Sequence, residues 1–353
     1  MPDAAPDLGE IRFLKHRDAG GVLNATFAFL RRNAREVLWG FFAIVGPVAL
    51  ASGIASALYF RQVGDLFFDP AAMETDPFGV FNVTYLGILV FSLLTGAVAQ
   101  AAAAAYVRLY RLGEAGAVSV GDLWEETKGL ILPMLGLNLM FGLAIMVSVV
   151  IMIVPCLGAL AWLAFVVWLV PYYVVTMASR GVEADSLAEA WGRARVLVKG
   201  SWGFAFGAFL LAAVVFYIFV AVLSLPAYVI GFAAMVNTTA EDPSGMFAMM
   251  GAVMAPLQAL SAVGYLIPLV AGYFIHGRLV EELDGTSLHD DLDALADRSA
   301  AARWDAAPAS TPPAPEVDGV PPSAPPASGP EDPPSSDDGP PSGFRGGGFG
   351  GAA

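Results

Sequence analysis

The strongest polar groups inside otherwise charge-free stretches of this sequence are three carboxamides, Gln100, Asn138 and Gln258. An amide both donates and accepts a hydrogen bond, so in hydrocarbon it can join two helices or hold a solute. Interhelical bonding is the commoner use. No His-Glu-x-x-His, Gly-x-Ser-x-Gly or Walker-type pattern is present, so zinc hydrolysis, serine hydrolysis and nucleotide chemistry have no recognisable residues. The histidines are His16, His276 and His289, all expected outside the hydrocarbon. His276 ends the last apolar stretch and is expected at the interface. A single cysteine, Cys156, excludes a disulfide framework or a cysteine-based zinc site within one chain. No catalytic residue, metal ligand or cofactor site is read from the sequence.

The surrounding composition says what must position those amides. Apolar residues make up 57% of 353 and charged residues 14%, with a mean hydropathy of +0.64. Soluble domains carry about 25% charge, so a water-soluble globule is excluded. Charge-free runs of 24, 31, 51, 41 and 35 residues follow Glu36, Asp76, Lys128, Lys199 and Asp242. A crossing helix needs about 20 residues. The longest run therefore holds two crossings, divided at Pro155-Cys-Leu-Gly158. The fold class is all-α: a polytopic bundle of six spans near 37–59, 84–107, 130–154, 157–178, 203–225 and 253–275. The apolar extension 227–236 after Pro226 is too short to cross and is expected to lie at the interface or re-enter.

No span contains an ionisable residue, whereas ion-coupled transporters usually bury one. Four spans contain proline: Pro47, Pro133, Pro171, and Pro256 with Pro268. Such prolines kink helices or frame a transport site. The small-residue run 99–105 permits close helix contact, in a compact bundle or a homo-oligomer.

Lysine and arginine placement gives the orientation. With six spans, 17 of the 18 basic residues share one side and only Arg61 faces the other. That side is read as cytoplasmic and holds both termini. The outer loops are expected at 60–83, 155–156 and 237–252. The first apolar run begins near Val37, behind a charged 1–36 segment, which does not match a cleaved signal peptide.

Each pair of spans is preceded by a short amphipathic helix. Ser186 and Glu189 form a capping-box pattern, with Leu187, Trp191, Ala194 and Val198 on one face. Ser119 and Asp122 start a second. Leu23, Phe27, Leu30 and Ala34 stripe the first. Arg31, Arg32, Arg35, Arg193, Arg195 and Lys199 sit on the polar faces and are candidate contacts for anionic lipid at the inner leaflet. Membrane lipids are thus the first expected partners.

The net charge of −14 is concentrated from Glu281 onward, where 14 acidic residues meet 3 basic ones. That balance argues against a nucleic-acid partner. Residues 281–304 read as a short acidic cytoplasmic helix. Residues 305–353, rich in Pro, Gly, Ser and Asp, are expected to be disordered, with room for a protein partner.

Arg12-Phe-Leu-Lys-His-Arg-Asp18, Leu23 to Asn33, Ile44-Val-Gly-Pro47 and Ser186 to Trp202 together resemble a group of uncharacterised bacterial multi-span proteins. These are similar to the membrane domain attached to some glycerophosphoryl diester phosphodiesterases. The resemblance spans roughly 12–280. It implies an inner-membrane location. The phosphodiesterase barrel has no counterpart, so no catalytic residue transfers. The expected role is non-enzymatic membrane organisation or partner and lipid binding; the alternative is a transporter or channel for a small or lipidic solute.

Overall fold

The computed structural model describes residues 12–68, 79–112, 118–154, 157–183, 186–237 and 243–285. Among them every regular element is helical. The helices are α1 (Ala19–Arg32), α2 (Ala34–Phe68), α3 (Val83–Arg111), α4 (Val120–Ser148), α5 (Leu157–Val182), α6 (Leu187–Asn237), α7 (Pro243–Gly264) and α8 (Leu266–Asp284). A short 3-10 turn, Val149–Ile153, extends α4. Among the described residues six segments are long and apolar enough to cross a membrane: Ala34–Val63, Val83–Arg111, Val120–Ile153, Leu157–Val182, Leu187–Ile230 and Ala255–Asp284.

Outward faces carry large apolar side chains. Leu132, Leu139, Leu143 and Met146 on α4 are exposed, as are Leu210, Val214, Tyr217, Ile218 and Val222 on α6. Apolar surface this continuous is untenable in water and normal against lipid tails. The chain is an integral, multi-pass membrane protein. Its core is the alanine-rich half of α3, from Ala97 to Ala105, packed beside α8. Small residues let these helices approach closely, so the run serves packing within one chain.

Several expectations are corrected. α2 continues to Phe68 and α7 begins at Pro243, so parts of the expected 60–83 and 237–252 loops are helical. The chain stays helical past Pro226 to Asn237; the one non-helical residue in α6 is Ser201, at the end of the amphipathic segment. The 120–129 segment is continuous with its span, since the Ser119–Asp122 capping box starts one helix that passes through Pro133. The 253–275 span forms one crossing, Ala255–Asp284, with only its helical bonding interrupted at Tyr265, whose backbone stays in the αR region. The interruption puts Pro268 in the first turn of α8, where its missing N–H leaves no helical acceptor unpaired. Of the expected 281–304 helix, 281–284 belong to the end of α8; residues 286–304, the turn at 155–156 and the tail 305–353 lie outside the described residues.

The stripe of α1 is rotated by one residue from the expected one. The buried set is Val22, Thr26, Phe29 and Asn33, while Phe27 is 42% exposed. Two polar members can be buried because each bonds within the helix. Thr26 Oγ1 donates to the Val22 carbonyl at 2.9 Å, and Asn33 Nδ2 donates to the Phe29 carbonyl at 2.9 Å. Phe27 is left on the outer side, where an apolar ring suits a lipid interface, while Leu23 and Leu30 are partly buried against the core.

Candidate functional site

All three amides singled out from the sequence line one cavity of about 620 Å³. The walls come from α2, α3, α4, α5, α7 and the start of α8. Apolar side chains such as Ala49, Leu93, Phe141, Ile145, Leu169 and Ala262 supply most of the surface. Among the described residues no lysine, arginine, aspartate, glutamate or histidine takes part. Leu89 and Ser92 on α3, Gly142 on α4 and Tyr265 at the helix break are exposed, so the cavity has a mouth.

One end of the cavity is a polar knot joining three helices. Gln100 on α3 is 6% exposed, and its Nε2 donates to Asn138 Oδ1 on α4 at 3.1 Å and to the Tyr173 hydroxyl on α5. Tyr173 in turn donates to Asn138 Oδ1 at 2.7 Å. In a low-dielectric interior each such bond replaces a costly unpaired dipole. Tyr173 is the member that sequence reasoning missed. The usable signal was its hydroxyl, since a tyrosine in a charge-free stretch needs a partner when buried.

A second polar group lines the same cavity. Gln258 Nε2 on α7 donates to Ser52 Oγ on α2 at 3.2 Å, and Ser52 meets Ser92 of α3 at 3.4 Å. After these bonds, Asn138 Nδ2 and the Gln258 side-chain oxygen keep no protein partner among the described residues. Gln100 Oε1 is also unpaired, but it is packed out of reach.

The charged end of the bundle carries a different cluster. His276, expected at the interface, is instead 4% exposed between α5 and α8. Its Nε2 lies 2.9 Å from Ser179 Oγ and 3.4 Å from Glu183 Oε2. A hydrolytic triad needs serine and carboxylate on opposite ring nitrogens. Here both meet the same nitrogen and Ser179 is fully buried, so the arrangement cross-links helices. Nearby, Arg108 on α3 pairs with Glu126 on α4 at 2.8 Å and bonds the Gly181 carbonyl of α5. Among the described residues no group of His, Cys, Asp or Glu is arranged to hold a metal ion.

The hydrogen bond from His276, aided by the charges of His276, Arg193 and Arg111, holds the Glu183 carboxyl below its ordinary range. A lowered carboxyl pKa stabilises the fold above the unfolded-state value and loses that contribution as pH falls through the lowered one. Acidification should therefore loosen the α5–α8 contact. Glu183→Gln should remove this acid-dependent part and cost about 1 kcal/mol or less at neutral pH, the size of a partly exposed pair. Melting temperatures of the two proteins in detergent across an acid series check it; identical acid profiles would refute it.

The six candidate lipid contacts divide. Arg31, Arg35 and Lys199 are exposed and make no ion pair among the described residues. Arg195 is exposed with its guanidinium 5.9 Å from the Trp191 ring, and Arg32 is exposed at the end of α1. Arg193 is paired with Asp284 at the end of α8, with about a third of its side chain still exposed.

No family model matches this chain, and no curated protein or solved structure matches it.

Proposed function

We propose that the chain is a non-enzymatic multi-span protein of a bacterial cytoplasmic membrane that binds a membrane-soluble ligand in its central cavity. One observation carries the reading: amides from three helices, far apart in the chain, converge on a single uncharged cavity with a mouth. The volume falls within the range of about 300–1,000 Å³ that holds small ligands, and an apolar lining with a few placed polar groups is how such sites are built. The inner-membrane location rests on the resemblance noted above and on the one-sided basic residues, with both termini cytoplasmic.

Native mass spectrometry of the detergent-purified protein tests the ligand. The wild type should retain a lipid-sized adduct that is lost in Gly96→Leu, because a side chain there grows toward Asn138 inside the cavity. Equal retention by both proteins would sink the reading.

The cationic end is proposed to hold anionic headgroups through Arg31, Arg35 and Lys199. Each such residue near an anionic surface contributes about 1 kcal/mol. The triple glutamine variant should therefore retain several-fold less phosphatidylglycerol in mixed micelles. The deficit should shrink at high salt. Unchanged retention would refute the electrostatic part.

A second reading, passage of the ligand across the bilayer, is favoured by the break at Tyr265. There the helical bonding of the span lining the cavity is interrupted ahead of Pro268, a point where a helix bends readily. Flux of the bound ligand in proteoliposomes, abolished by Asn138→Leu, separates passage from holding.

A further inference from the structure

The cavity also constrains the head of its ligand, an inference that rests on the ligand-binding reading above. A buried ion without a counter-charge is too costly to hold, and among the described residues no charged side chain reaches this lining. Carboxylates, phosphates and quaternary amines are thereby disfavoured. A pure hydrocarbon would leave the two accessible amide atoms unpaired. One of these is a donor, Asn138 Nδ2, beside the Gln100–Tyr173 knot. The other is an acceptor, the Gln258 side-chain oxygen, whose own nitrogen is held by Ser52. Hydroxyls at Ser92 and Tyr265 flank the mouth and are compatible with a neutral head.

We infer that the cavity selects an uncharged amphiphile with a hydroxyl head on an aliphatic body. The hydroxyl donates to the Gln258 oxygen, its own oxygen is free to accept from a donor such as Asn138 Nδ2, and the body lies along Phe141, Ile145 and Leu169. A hydroxyl can do both. An ether can only accept, and hydrocarbon can do neither.

Four sixteen-carbon probes separate these possibilities: hexadecanol, hexadecyl methyl ether, hexadecanoate and hexadecyltrimethylammonium. Each is titrated against full-length protein in uncharged detergent, and binding is read by native mass spectrometry. Hexadecanol should bind about tenfold more tightly than the ether, the effect of one unmade hydrogen bond at a buried group. The two ions should bind more weakly than the alcohol. Asn138→Leu with Gln258→Leu should bring alcohol and ether to equal affinity while retaining both. Gly96→Leu, and independently Gly142→Leu at the mouth, should weaken all probes together. Size-exclusion profiles matching the wild type establish that each variant folds. If alcohol and ether bind the wild type equally, or if an ionic probe binds best, the head-group inference fails and the cavity reading stands. If no probe is affected by either blocking variant, the cavity reading itself fails.

Discussion

Phe13→Ala should destabilise the protein by about 3–5 kcal/mol, the usual cost of emptying a buried phenylalanine site. Phe13 precedes the first helix and is 7% exposed. Its ring stacks on Phe274 of α8 at 4.5 Å and meets the edges of Phe29 at 5.6 Å and Tyr110 at 6.0 Å. It thus ties α1, α3 and α8 together at the charged end. Arg17 lies 5.2 Å from the other partner ring, Phe274, and reaches back to the Arg12 carbonyl at 2.6 Å. Gly277 makes the docking feasible, since any side chain there would strike the Phe13 carbonyl. Chemical unfolding in detergent measures the loss. The control is Phe27→Ala, whose exposed ring packs on little and should cost far less. Equal, small effects of both substitutions would overturn the role given to the N-terminal segment. A loss of this size is a large share of a typical folding free energy of about 5–15 kcal/mol.

Gly53→Val should be comparably damaging, through overpacking instead of a void. A Cβ at Gly53 would lie 2.7 Å from both the Cα and the carbonyl oxygen of Ala255, so backbone must move. Forced shifts of this kind cost about 1–3 kcal/mol and sometimes more. The consequence reaches the cavity, because Ser52 and Gln258 sit beside this crossing and share a hydrogen bond. The variant should melt at lower temperature and also lose hexadecanol binding. Gly129→Ala is the comparison: open space surrounds it on α4, and exchanging glycine for alanine in a helix should be neutral or stabilising by up to about 1 kcal/mol. A Gly53→Val protein with normal melting and binding would show that α2 and α7 do not meet as described.

The three amides were visible in the sequence because a polar side chain inside a long charge-free run stands out. Their convergence was not visible. Gln258 and Ser52 are 206 positions apart, and Gln100 and Tyr173 are 73 apart. Local pattern carries no information about pairs so distant. The Arg193–Asp284 pair shows the same limit, since its members are 91 positions apart. The α1 stripe went wrong by one residue for a related reason. Hydrophobicity ranks Thr26 and Asn33 as outward, whereas bonds to their own helix let them turn inward.

What the sequence alone determined is the class of molecule: all-helical, membrane-spanning, with six crossings. Hydrocarbon demands that backbone groups be satisfied within each segment, so the length and charge of a segment suffice to declare it. Which faces meet, where a helix breaks and what the polar groups enclose were decided only in three dimensions. Those outcomes depend on side-chain shape and on a few specific bonds between helices, and oiliness, the same on every side of a span, cannot encode them.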